Sequence, residues 1–201
     1  MRRKIAVFAS GFGSNLQALI DFNEKSDLGG DISLTFSNNG DAFALKRSKK
    51  HNIKTVFIDP GEYPNREEFE KDILKVLDEC KIDLIVLAGY MFLLTPLLIN
   101  TYKDRILNIH PALLPSFKGT HGIKDAYDYG VKISGVTVHF VDEELDNGPI
   151  IMQAPVFIDK KDSLERFEEK IHKVEHKIYP QVVKLFCQGR LRIIGNKIEI
   201  L

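Results

Sequence analysis

Short runs of β-branched and apolar residues alternate through the first half of the chain with longer charged stretches whose apolar residues recur at three- and four-residue steps. Two parallel strands cannot be joined by a tight turn, so a stretch of that length between them must cross over as a helix. The alternation therefore argues for βαβ units and a parallel sheet covered by helices. We place strands near Lys4 to Ala9, Ile32 to Ser37, Thr55 to Ile58, Leu84 to Ala88 and Ile106 to Ile109, with helices beginning near Asn15, Asp41 and Asn65. In the third helix Phe69, Ile73, Leu74, Val76, Leu77 and Cys80 form one apolar face.

After His110 the texture changes. A loop, PALLPSFKGTHG, leads into a short helix, and Ser134 to Val141 and Ile150 to Ile158 then read as partner strands on either side of Gly148-Pro149. Asp162-Ser163 can cap a long helix carrying Leu164, Phe167, Ile171, Val174 and Ile178, which we expect to bend or restart at Pro180. The tail, LRIIGNKIEIL, carries a hairpin signal around Gly195-Asn196. There is no internal repeat, low-complexity tract or linker. We expect one α/β domain over residues 1–201, its mostly parallel central sheet flanked by helices and continued by antiparallel strands in the C-terminal half.

A chain of 201 residues can bury a substantial core without a disulfide or metal staple. Its 28 basic and 28 acidic residues balance, so no overall field favours nucleic acid or an anionic membrane, and any anionic ligand must be held locally. The opening MRRKIAVFASGFGS has too short an apolar run for a secretory signal, and no later stretch approaches the ~18 apolar residues of a membrane span. Cys80 and Cys187 lie far apart with no C-x-x-C partner, which suits reduced thiols and a cytoplasmic protein.

The first strand runs directly into Ser10-Gly11-Phe12-Gly13-Ser14-Asn15 and then a helical pattern. Such a junction turns free N–H groups and the positive end of a helix dipole toward a ligand, and glycine permits close approach. Tight strand-to-helix packing would use the same residues. As a dinucleotide fingerprint the run is poor: Leu16 replaces the third glycine, and the second strand ends in Ser37-Asn38-Asn39 rather than in an acidic residue. No Walker-type Gly-Lys-Ser is present. A monophosphate fits better than NAD or ATP.

The fifth strand ends in Asn108-Ile109-His110-Pro111. Ligands gather at the carboxyl ends of parallel strands, and residues two apart in an extended segment project from one face, so Asn108 and His110 point into that crevice together. Pro111 holds His110 extended. The later loop Asp142-Glu143-Glu144-Leu145-Asp146-Asn147 is acidic, and a carboxylate brought from it to His110 would fix the tautomer of the imidazole and stabilise its cation. An amide, an imidazole and a carboxylate are what a developing oxyanion on a formyl carbon needs. A satisfied strand-end turn and a solvated acidic face remain the alternatives.

The runs NIHPALLPSFKG and GVTVHFVDEELDNGPII resemble the signature of folate-dependent formyltransferases. FASGFGSNLQALID, SNNGDAFAL and EHKIYPQVV resemble the branch of that family acting on glycinamide ribonucleotide, and the likeness covers nearly the whole chain. It implies a Rossmann-like formyltransferase fold and transfer of formyl from 10-formyltetrahydrofolate, as co-substrate, to the glycinamide amine of 5-phosphoribosylglycinamide in purine biosynthesis. By the same resemblance Asn108, His110 and Asp146 are the catalytic trio, Gly13, Ser14 and Asn15 hold the phosphate, and Glu175 meets the amine. Formylfolate would lie along Met91, Phe92, Leu93 and Leu94, near Asn108, Arg66 and Asp142, with Thr137 and His139 supporting the trio. Phe92 stands where members often carry Arg, and Asn147 where Gly is frequent.

No covalent intermediate and no metal are implied. His172 and His176 have a zinc-compatible spacing, but HKVEH is not the HExxH order and lacks a third ligand. Partners are expected to be small molecules, not nucleic acid or membrane, with the protein a monomer or homodimer. The competing functions are a formyltetrahydrofolate hydrolase and a non-catalytic folate or nucleotide binding module. Hydrolases of this family usually carry an N-terminal regulatory domain, and tRNA-directed members a C-terminal nucleic-acid-binding domain; we expect neither here.

Overall fold

The computed structural model describes residues 2–201. The strands are β1 (Arg3–Phe8), β2 (Gly30–Ser37), β3 (Lys54–Phe57), β4 (Leu84–Leu87), β5 (Ile106–His110), β6 (Ile133–Phe140), β7 (Ile150–Phe157), β8 (Leu191–Ile194) and β9 (Lys197–Ile200). They form one sheet in the order β3-β2-β1-β4-β5-β6-β7-β9-β8. β1 to β5 are parallel, β6 and β7 antiparallel to their predecessors, and the β8–β9 hairpin joins β7 through one parallel pairing, Ile150 with Lys197. The expected α/β architecture, parallel half and antiparallel continuation are all present.

The chain leaves β1 toward β2 and β3 on one side and returns to β4 and β5 on the other, so β1 and β4 flank the switch point at which open α/β sheets bind ligands. Within β1, Ile5 and Val7 face one core and Ala6 and Phe8 the other, which requires an apolar residue at each position. The first core is closed by α1 (Ser14–Ser26) and α6 (Leu164–Cys187), through Leu16, Leu19, Phe167, Ile171 and Tyr179. The second is closed by α3 (Arg66–Glu79) and the short α4 (Pro96–Thr101), through Phe69, Ile73, Leu77 and Leu98. α2 (Phe43–Lys50) packs on α1, β2 and β3, and α5 (Gly122–Tyr129) on α6.

Local chemistry accounts for the long helices' starts. Asn65 Oδ1 accepts from Glu68 N at 2.9 Å, and Ser163 Oγ from Arg166 N at 3.2 Å, each satisfying an N–H that the first turn leaves unpaired. The expected break at Pro180 does not occur: α6 runs unbroken to Cys187. Proline removes one intrahelical bond, but Pro180 is buried with Ile178, Tyr179, Val182 and Val183, and that packing carries the helix across.

Both cysteines are free and half-buried, and burial pushes the Cys187 thiol up to about 12. No described helix is long and apolar enough to cross a membrane.

Tyr179 ties α6 to the two strands that carry the site. Its hydroxyl, fully buried, is shared between Leu87 O at 2.8 Å, at the end of β4, and Leu107 O at 3.0 Å, near the start of β5. Replacing it with Phe removes the donor and leaves both carbonyls short of a partner. Tyr179→Phe is expected to lower unfolding stability by about 1–2 kcal/mol, read from urea midpoints at unchanged m-value.

Candidate active site

Two cavities open at the carboxyl ends of β1, β4 and β5. The larger, about 630 Å³, is bounded by the Ser10 to Asn15 loop, the segment from Thr120 to Lys124, and Glu168, His172, Glu175 and His176 of α6. The smaller, about 190 Å³, is bounded by Tyr90 to Leu94, by Asn108 and His110 of β5, by His139 of β6 and by Glu144 to Asp146. Gly89, Met91, Ile109, Pro111 and Thr120 line both, so the cavities meet beside the end of β5.

The structure brings Asn108, His110 and Asp146 together. His110 is 3% exposed and Asp146 9%, and their closest approach is 3.4 Å, from Nδ1 to Oδ2. The other ring nitrogen, Nε2, lies 2.8 Å from the Phe117 carbonyl. A carbonyl only accepts, so Nε2 donates to Phe117 O, and Nδ1 faces the Asp146 carboxylate. Asp146 Oδ2 also accepts from Gly119 N at 2.8 Å. Of the four carboxylates in the acidic loop only Asp146 is buried. It sits at φ 50, and Phe117 at φ 53, left-handed conformations that are unusual for a non-glycine residue and above all for an aromatic one.

His139 has the opposite arrangement. Its Nδ1 donates to Phe140 O at 2.7 Å, and its Nε2 lies 3.2 Å from Asn108 Nδ2, which makes Nε2 an acceptor and the ring neutral. Burial pushes the His139 pKa below its ordinary value, against the pull of the Phe140 carbonyl and Asp146 and with the added push of His110. The neutral ring fixes the Asn108 amide, one N–H on His139 and the second free for the cleft. Gly148 allows the Asp146 loop to lie on β6: a Cβ there would stand 2.0 Å from Phe140 O.

At the other cavity, Gly13 adopts φ 74 and ψ 37 at the start of α1. Asn15 Nδ2 donates to Glu175 Oε2 at 3.1 Å, and His172 Nδ1 meets the same oxygen at 2.8 Å. Asn15 Oδ1 is buried and unpartnered, and Glu175, 4% exposed, directs a carboxylate into the cavity. The hydrogen bond to Glu175 raises the His172 pKa, against partial burial and with support from Glu168.

Gly13, Ser14, Asn15 and Glu175 thus line the larger cavity, and Met91, Phe92, Leu93 and Leu94 the smaller. Arg66 and Asp142 line neither. Arg66 stacks on the Phe92 ring at 4.9 Å, and Asp142 Oδ1 accepts from Glu144 N at 3.1 Å, turning the carboxylate into its own loop. Thr137 is buried away from both: it donates to Ala112 O at 2.7 Å and accepts from Leu114 N at 3.0 Å, bracing the loop after His110. Sequence reasoning passed over His172 as a partner of Glu175. The i, i+3 spacing on α6 was the available signal, set aside for the more conspicuous i, i+4 pair with His176. Among the described residues no group of three or more His, Cys, Asp and Glu forms a metal site.

The family model described as Formyl transferase matches residues 3–183. Phosphoribosylglycinamide formyltransferase of Bacillus subtilis (strain 168) is 41% identical over 182 residues, 90% of this chain and 93% of that protein. The crystal structure of glycinamide ribonucleotide transformylase 1 from Symbiobacterium toebii superposes with a TM-score of 0.96 at 39% identity, covering 99% of this chain and 94% of that one. A formyltetrahydrofolate deformylase from Pseudomonas syringae pv. tomato superposes at 0.90 with 29% identity, covering all of this chain but 66% of its own.

The lowered pKa of His139 sets a pH dependence of stability. A group whose folded pKa lies below its unfolded value gives stability that is present above the unfolded value, about 6.5 for histidine, and is lost as pH falls through the folded one. His139→Asn keeps an acceptor for Asn108 and removes the titration. Urea unfolding at pH 7 and pH 5 should show the parent protein losing more stability on acidification than this variant. Equal losses would mean that His139 titrates normally.

Proposed function

The chain belongs to the formyl transferase family, and on that premise we propose that Asn108, His110 and Asp146 carry the transfer of formyl from 10-formyltetrahydrofolate to the glycinamide amine of 5-phosphoribosylglycinamide. The enzyme's products are formylglycinamide ribonucleotide and tetrahydrofolate, a step of purine biosynthesis. The observation that carries the assignment of roles is the buried Asp146 carboxylate 3.4 Å from His110 Nδ1, beside Asn108, where the two cavities meet.

The larger cavity suits the ribonucleotide. Its loop of free N–H groups takes the phosphate, and Glu175 with Asn15 Oδ1 offers acceptors to the amine end or the sugar. The amine attacks as the neutral base, since a protonated nitrogen has no lone pair. The smaller cavity, apolar along Met91 to Leu94, suits the folate ring system, with the formyl group then lying against Asn108 and His110.

Attack on the formyl carbon drives charge onto its oxygen. The free N–H of Asn108 is one donor for it. His110 supplies the second: at 3.4 Å, Nδ1 is farther from Asp146 than the 2.7–2.9 Å of a fully formed charge-assisted bond, so its N–H can be shared with an incoming oxygen. Asp146 balances the imidazolium and is placed to accept the proton released by the attacking nitrogen, which passes to the departing folate nitrogen.

The structural likeness to a deformylase makes hydrolysis the second reading. A hydrolase has no use for the anion-binding loop and Glu175 on the far side of the trio. The discriminating experiment follows folate deformylation spectrophotometrically with and without glycinamide ribonucleotide. Turnover is expected only with the acceptor; equal rates in its absence would make the enzyme a hydrolase, and binding of both ligands without turnover a binding module. Asp146→Asn should fold normally and reduce turnover by about 10²–10⁴-fold; near-parent turnover would remove Asp146 from the mechanism.

A further inference from the structure

The anion-binding loop is shaped from behind. Ala44 N, in the first turn of α2, donates to Gly11 O at 3.1 Å, and Arg47 Nε, one turn on, donates to Phe12 O at 2.9 Å. Two successive peptide units of the loop therefore have their carbonyls drawn to the same helix. Both peptides are trans, and a planar trans peptide holds its C=O and N–H in opposite directions. Pinning the Gly11 and Phe12 carbonyls on α2 turns the N–H groups of Phe12 and Gly13 away from it. No α2 residue lines the 630 Å³ cavity, which lies on the loop's other side. Among the described residues those two N–H groups meet no protein acceptor, and Ser14 and Asn15 N–H, in the first turn of α1, continue the row.

The geometry points to Arg47 as a positioning residue for ribonucleotide binding: it holds the Phe12 carbonyl, and so aims consecutive loop N–H groups at the substrate's phosphate. This rests on the assignment of that cavity to the ribonucleotide. Arg47 is itself fixed from three sides. Its guanidinium lies 4.4 Å from the centroid of Phe12 and 4.9 Å from that of Phe43, rings that stack on each other at 5.3 Å and 10°, and Nη1 donates to Gln17 Oε1 at 3.1 Å on α1. The seat explains why Phe12, 67% exposed, is aromatic: its ring belongs to the cation, not to a core. Gly13 completes the fit, since a Cβ there would stand 2.7 Å from Ala44 Cβ, so only glycine lets the loop lie this close to α2.

Three variants test the role. Arg47→Gln should raise the KM for the ribonucleotide about tenfold, the loss of one charge-assisted hydrogen bond, while kcat and the KM for 10-formyltetrahydrofolate stay near their parent values. Arg47→Lys should recover only part of the loss, because an ammonium keeps the charge but neither the planar stack nor the Nε–H direction. Lys49→Gln, which removes the same charge from the same helix without touching the loop, should leave both KM values unchanged. An unchanged ribonucleotide KM in Arg47→Gln, parallel rises in both KM values, full recovery by Lys, or an equal effect of Lys49→Gln would each overturn the role. Titration with inorganic phosphate gives a readout independent of the assigned reaction. The amide resonances of Phe12 and Gly13 should shift on saturation, with affinity about tenfold weaker in Arg47→Gln; shifts that leave those two amides unmoved would refute the alignment. Absence of acceptor-dependent turnover in the parent enzyme would sink the reaction and leave this result standing.

Discussion

A carboxylate held out of water beside an imidazole is the constraint around which the rest of the site is arranged. An ionised group of that kind costs several kcal/mol to bury unless charge and hydrogen bonds offset the loss of hydration. Asp146 meets the cost with His110 on one side and the Gly119 N–H on the other, from the loop that follows β5. That loop must in turn bring Gly119 back over the ring, which it does through the left-handed turn at Phe117, whose carbonyl holds the far nitrogen of His110. Thr137 anchors the start of the same loop at Ala112 and Leu114. The unusual backbone at Phe117 and Asp146 follows from closing this ring of contacts in a small volume.

The change of direction in the sheet is what makes the contact available. A strand parallel to β5 would pass Asn108 and His110 with its residues in the opposite order. Because β6 runs antiparallel, Asn108 sits opposite His139 and His110 opposite Thr137, and β6 ends beside the start of β5, from where the β6–β7 loop folds back to bring Asp146 to His110. The two imidazoles then differ through their partners. His139 lies between the Phe140 carbonyl and the Asn108 amide, an acceptor and a donor; His110 lies between the Phe117 carbonyl and the Asp146 carboxylate, two acceptors. Burial holds the His139 pKa below its ordinary value although Asp146 Oδ1 lies 3.8 Å from its Nε2.

Much of this was legible where the signal was local. The strands fall within about two residues of the positions read from their apolar runs, and Asn65 and Ser163 announced their helices because a cap lies next to what it caps. α4 is only six residues long and went unread although Thr95-Pro96 is a local start signal; the buried Glu70 of α3 fixes its cap, accepting from Thr95 N at 2.7 Å. Pro180 misled because propensity argues for a break and the burial that overrides it comes from the sheet. Within the acidic loop composition could not distinguish Asp142 from Asp146; only the loop's register decides which turns inward. Arg66 reads as a cation for folate, yet it lies across Phe92, outside the cleft lining.

Transfer between two bound molecules also requires the two cavities to keep a fixed separation, because a bimolecular step gains most when both reactants are held in a near-attack geometry. Ser10 supplies that link. Its N–H donates to Gly89 O at 3.0 Å, and its hydroxyl accepts from Met91 N at 2.9 Å while donating to Asn38 Oδ1 at 2.7 Å. The residue that opens the anion-binding loop therefore also holds the segment that walls both cavities. Tyr179 binds β4 and β5 to α6, the helix that carries Glu175. With α2 holding the loop from behind, the Ser10 to Asn15 loop, Glu175 and the Asn108, His110 and Asp146 cluster are tied together at one end of the molecule. Their spacing is set by hydrogen bonds within the protein that no ligand has to form.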